Sequence, residues 1–99
     1  MDENTIISIQ DFCSYYDVPV SFLDELSDYE LITFYEKNNV KHIRTDELEL
    51  LEKLIRLHFD LDINFEGLDV ILNLLNKISE LQTELNTLQA ELKFYKKSD

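Results

Sequence analysis

The chain has 99 residues, with one cysteine, one glycine and one proline, and its 21 acidic against 9 basic side chains leave a formal net charge of −12 and a pI near 4.4. That length holds one modest core, which excludes a two-lobed enzyme with a deep cleft. The charge argues against DNA or RNA as a partner, since a nucleic-acid binder normally carries a basic surface to neutralise phosphates.

Residues 1–36 carry nine carboxylates and no Lys or Arg, so the partner this half favours is basic or neutral, if there is one. The lone Cys13 excludes an internal disulfide and a zinc site built mainly from thiolates, and reads as a buried small apolar residue. Met1-Asp2-Glu3-Asn4 is acidic and no long apolar run follows it, so no signal peptide or membrane span is expected and the chain reads as cytoplasmic.

In chain order, Thr5-Ile6-Ile7 is a candidate strand. Ser8 followed by Asp11 has the spacing of a helix cap, with Ile7 and Phe12 as a hydrophobic staple, and predicts a helix from about residue 9 to 16. The Asp17-Val18-Pro19 run stops it. Ser21 and Asp24 repeat the capping spacing, for a second helix from about residue 22 to 29 that faces inward through Phe22, Leu23 and Leu26 and outward through Asp24, Glu25 and Asp28. Two short helices around a tight turn form a helix-turn-helix candidate. Residues 31–44 then fit a hairpin turning on Asn38-Asn39, in a register that sets Glu36 opposite Lys41 and Phe34 opposite Ile43. A hairpin in that place is a wing.

Asp46 with Glu49 predicts the cap of a third helix running from about residue 48 to 61, with Glu49 to Lys53 and Glu52 to Arg56 as i to i+4 pairs along its polar stripe. Asn64 is placed to cap a last helix, with Ile63 and Leu68 as its staple. That helix is expected over about residues 65–96. Ile71, Ile78, Leu85 and Leu92 recur every seven residues, and Leu74, Leu81, Leu88 and Tyr95 follow each of them by three. This is an a/d seam, which predicts a homodimer through a two-helix coil, parallel or antiparallel. The fold class expected is thus mostly α with a small β-hairpin wing: a winged helix-turn-helix domain over residues 1–63 and a coiled-coil dimerisation helix over residues 64–99.

Catalytic material is poor. His42 falls in the wing, His58 on the third helix and Cys13 far from both, and a single glycine, Gly67, rules out a glycine-rich phosphate loop. The spacing of His58, Asp60 and Asp62 matches no established metal-ligand pattern, and His58 reads as a partly buried packing residue. No enzyme activity, cofactor or metal is expected. Of the aromatics close to the acidic helix pair, Tyr15, Tyr16, Tyr29, Phe34 and Tyr35, most read as core or core rim, yet tyrosine beside carboxylates on an exposed helix face has the composition of a protein-binding patch.

The order of elements resembles that of MerR-like regulators. Three segments carry a closer likeness, to the chaperone-modulator (CbpM) family: Ile7-Ser8-Ile9-Gln10-Asp11-Phe12-Cys13, Val20-Ser21-Phe22-Leu23, and the run from Ile55 to Leu72 that contains Arg56-Leu57-His58-Phe59-Asp60-Leu61-Asp62-Ile63-Asn64-Phe65. The resemblance spans about residues 5–92. It implies a MerR-like fold and a regulator that binds the J domain of a DnaJ-like, CbpA-type co-chaperone and inhibits its stimulation of the DnaK (Hsp70) ATPase. J domains resemble one another in carrying a basic helix, which Asp24, Glu25, Asp28 and Glu30 would complement, with Tyr29 as an anchor. The alternative is a MerR-like transcriptional regulator that binds DNA as a dimer, for which the second helix offers no cation and the wing only Lys37, Lys41 and Arg44. A third is a plain acidic dimerisation module for some other basic protein.

Overall fold

The computed structural model describes residues 5–98. Strand β1 (Ile6–Ser8) leads into helices α1 (Ile9–Tyr16) and α2 (Val20–Asp28), followed by strands β2 (Tyr35–Lys37) and β3 (Val40–Arg44), helix α3 (Leu48–Ile55) and the long helix α4 (Phe65–Ser98). The result is a mostly helical protein with a small antiparallel sheet, in strand order β1-β3-β2, and two short helices joined by a tight turn ahead of the wing.

The wing forms in the expected register, with Glu36 facing Lys41. Asn38 and Asn39 both take positive φ, 55° and 63°, as a two-residue hairpin turn with the twist of its strands requires. The candidate third strand is real and pairs Ile7 with Ile43, which leaves Ile43 fully buried. β2 opens at Tyr35 and not at residue 31. Leu31 and Ile32 are buried instead, after a turn at Glu30 with φ 60°.

Ser8 caps α1 as expected, its hydroxyl accepting the Asp11 N–H at 3.1 Å. The helix ends in a left-handed Asp17 whose N–H donates to the Cys13 carbonyl. The cap expected from Ser21 is not formed, because Pro19 takes the N-cap place with φ −75° and ψ 151° and α2 starts at Val20. Proline lacks an N–H and arrives with φ already set, and its carbonyl accepts the Phe22 N–H at 3.0 Å. Ser21 therefore lies inside the first turn.

The Asp46 cap fails as well. The Asp46 carboxylate is bound to the Arg44 guanidinium at 2.9 Å, and a 3₁₀ turn over Thr45–Glu47 leads into α3. Arg44–Asp46 is the ion pair found among the described residues, in place of the Glu49–Lys53 and Glu52–Arg56 pairs; Glu52 accepts the Tyr16 hydroxyl at 2.5 Å. Nor does the third helix run unbroken to residue 61. From Arg56 to Asp60 it widens into a π-helical turn, closed by the Leu61 N–H on the Arg56 carbonyl and followed by Asp62 at φ 59°.

The centre of the core is Phe12, Leu23, Leu26, Ile43, Leu51, Leu54 and Leu68, all fully buried, with Ile9, Cys13, Val18, Phe22, Leu31 and Ile32 buried around it. Residues up to Asp69 form one compact unit and those from Val70 a second. Leu68, in the first turns of α4, belongs to the first unit. In the second, Leu74, Ile78, Leu81, Leu85, Leu88 and Leu92 are 53–61% exposed, while Ile71 is half-buried. No helix among the described residues is long and apolar enough to cross a membrane.

Asn64 caps α4 as its sequence implies, Oδ1 accepting the Gly67 N–H at 2.8 Å. Gly67 is required there by contact rather than by φ: a Cβ would lie 2.7 Å from Ile63 Cγ2 and 3.2 Å from Asn64 Oδ1. Ile63 is β-branched and stiff at χ1, so it has little room to yield. Gly67→Ala is expected to lose about 1–3 kcal/mol to overpacking against about 1 kcal/mol of gained helix propensity. Thermal unfolding followed by circular dichroism checks this, with a lower Tm expected and an unchanged or higher Tm contradicting it.

Candidate protein-binding face

α2 is amphipathic by spacing. Phe22, Leu23 and Leu26 are buried, so Asp24, Glu25 and Asp28 are turned outward and exposed. Glu30 extends the acidic face one residue beyond the helix, exposed on the left-handed turn. No lysine or arginine occurs in α1, α2 or the turns around them to neutralise this face. Beneath it, burial raises the pKa of Cys13, and the negative charge of Asp24 raises it further.

Tyr29 is half-buried. Its hydroxyl donates to Glu66 Oε2 at 2.8 Å, and its ring stacks on Phe65 at 5.9 Å and 19°. The bond from Tyr29 holds the Glu66 carboxyl below its ordinary pKa, helped by a backbone hydrogen bond. The same contact raises the Tyr29 pKa. Tyr29 thus joins the end of α2 to the first turn of α4, a pairing across 37 positions that no local pattern in the sequence announces. On the neighbouring side of the unit, the Glu52 bond pushes the Tyr16 phenol up to about 12.

A second feature escaped the sequence reading. The π turn brings His58 and Phe59 against Phe22, with ring centroids 5.2 and 5.0 Å away. Phe65 closes on His58 at 4.6 Å. The His58 ring is held by its Nδ1–H, which donates to the Ile63 carbonyl at 2.8 Å; a carbonyl only accepts, so the proton is on Nδ1. With Ser21 and Glu25 these rings line a cleft of about 230 Å³. His58, Phe59 and Phe65 lie close in sequence, but nothing local there marks their convergence on Phe22.

The wing's cations are partly engaged. Arg44 is paired with Asp46 and lies 6.0 Å from the Tyr35 ring centroid, and Lys41 Nζ lies 5.1 Å from that of Phe34. The carboxylate raises the Arg44 pKa and is itself lowered by the guanidinium. Nearby, Glu47 Oε1 is buried without a hydrogen-bond partner, and burial raises its pKa.

Among known proteins, the family profile described as MerR HTH family regulatory protein matches residues 7–90. No curated protein matches, and no solved structure matches.

The Tyr29–Glu66 bond yields a pH signature. Glu66, lowered in the folded state, contributes stability above its unfolded pKa and loses it as pH falls through its folded value. Tyr29, raised, contributes below its unfolded pKa and loses it as pH rises through its folded value. Tyr29→Phe is therefore expected to lower the Tm most at neutral pH, with the difference narrowing toward both extremes. A Tm difference independent of pH would contradict the bond.

Proposed function

Since the chain belongs to the MerR HTH family of regulatory proteins, we propose that it is a non-catalytic member that has exchanged nucleic acid for a protein partner. In this reading it binds the J domain of a DnaJ-like, CbpA-type co-chaperone through its acidic helix-turn-helix face and blocks stimulation of DnaK (Hsp70). The observation that carries it is the set of exposed acids Asp24, Glu25, Asp28 and Glu30 on α2 and its following turn, with no cation anywhere in residues 1–36. A basic J-domain helix complements that field, and covering it denies the same surface to the Hsp70. Tyr29 contributes its ring edge and holds the face to α4. Attraction of this kind sets on-rate and partner choice more than raw affinity, and salt screens it.

The exposed seam of Leu74, Ile78, Leu81, Leu85, Leu88 and Leu92, begun by Ile71, is assigned in this reading to a second copy of the chain. Knobs-into-holes packing of two such helices removes the apolar side chains from water. The alternative, a transcriptional regulator that binds DNA as a dimer, has the family description in its favour. It must hold phosphates with Lys37, Lys41 and an Arg44 already paired to Asp46.

Replacing Asp24, Glu25 and Asp28 together by lysine is expected to abolish J-domain binding in calorimetry and to restore J-stimulated ATPase turnover by the Hsp70, with the circular dichroism spectrum unchanged. Undiminished affinity in the triple variant would contradict the placement. A gel shift at low salt separates the alternative, since sequence-specific retardation favours DNA and none is expected. Sedimentation at micromolar concentration is expected to show a dimer that Leu81→Asp with Leu85→Asp converts to a monomer; a wild-type monomer would contradict the seam's assignment.

A further inference from the structure

We infer that the cleft between α2 and the π turn is a socket for one long cationic side chain, arginine in preference to lysine, projecting from the protein partner. Its walls are the rings of Phe22, His58, Phe59 and Phe65, and Glu25 and Ser21 supply its polar side. Aromatic faces attract a cation through their quadrupoles, and a guanidinium is planar, stacks on rings and accepts a carboxylate on its edge. At about 230 Å³ the space is below the ~300–1,000 Å³ of a drug-sized pocket and suits a single side chain.

Charge selects this occupant over an apolar one. Glu25 belongs both to the cleft wall and to the exposed acidic face, so the field that attracts a basic surface continues into the socket. Phe59 is 46% exposed, which leaves its ring open to an occupant of the cleft. The π turn that presents it is a geometry found disproportionately at functional sites, and beside it the His58 ring is fixed on the Ile63 carbonyl. That the cation is carried by a J domain rests on the proposed function; that the socket takes a cation does not.

The test separates the two. The full chain, with its aromatic rings labelled for NMR, is titrated with a blocked alanine-arginine-alanine peptide and with the same peptide carrying citrulline, the neutral isostere of arginine. Saturable shifts of the His58, Phe59 and Phe65 rings are expected with arginine, and affinity about tenfold weaker with citrulline. Equal response to both peptides, or no response in these rings, overturns the inference. Phe59→Ala, which removes an exposed ring, is expected to weaken J-domain binding about tenfold. If the arginine peptide seats in the socket but no J domain binds the wild-type chain, the socket stands and the partner assignment fails. If a J domain binds wild type and Phe59→Ala alike and the arginine peptide leaves the rings unmoved, the socket is overturned and the partner assignment stands.

Discussion

Phe22 is the point through which α2, the π turn and the first turn of α4 are held together. It is buried and touches three rings, those of His58, Phe59 and Phe65. Packing of this kind combines area burial with edge and offset ring geometry, each aromatic pair adding about 0.5–1.5 kcal/mol beyond the area itself. Phe22, Leu23 and Leu26 take the inward positions of α2, which turns Asp24 and Asp28 outward, while Glu25, three residues on from Phe22, is exposed at the edge of the aromatic cleft. The acidic face is therefore set by which side of α2 is buried, and it borders the aromatic joint at Glu25. Tyr29, stacked on Phe65 and bonded to Glu66, fastens the far end of the same helix.

The legible parts of this fold were those decided within a few residues. Ser8 caps α1, Asn64 caps α4, and the Asn38-Asn39 turn fixes the wing's register, because the two caps join groups three positions apart and the turn rests on the positive φ of two adjacent residues. The failures occurred where two local signals competed. Ser21 lost the N-cap to Pro19, whose φ is set in advance, and Asp46 lost its cap because Arg44 offered a charged partner. The π turn had no local signature, since apolar residues around most of a helix's circumference read the same at either winding. It is accompanied by the ring cluster about Phe22, on another helix, and by the hydrogen bond from His58 to Ile63. The acidic side chains of the candidate face could be named from helical spacing alone. That Tyr29 spends its hydroxyl on Glu66, and that Glu25 borders an aromatic cleft, could not, because both depend on contacts dozens of residues away.

A family whose fold is suited to DNA is here combined with a net charge of −12. Charge does not decide the fold, but it decides which surfaces can approach. The second helix of a DNA-binding helix-turn-helix enters the major groove and needs cations around it; α2 offers four carboxylates on and just after it instead. The wing retains three basic residues, one of them neutralised by Asp46. The proposed reading keeps the architecture and inverts its electrostatics, so that a basic helix of a protein takes the place of a phosphate backbone.

The measurement that tests this most directly is hydrogen exchange of the chain alone and with a J domain at low salt. The account predicts added protection over residues 20–30 and 58–65, where the acidic face and the aromatic cleft lie, with residues 35–44 of the wing unchanged. Protection centred on the wing, with α2 exchanging as it does in the free chain, would contradict it.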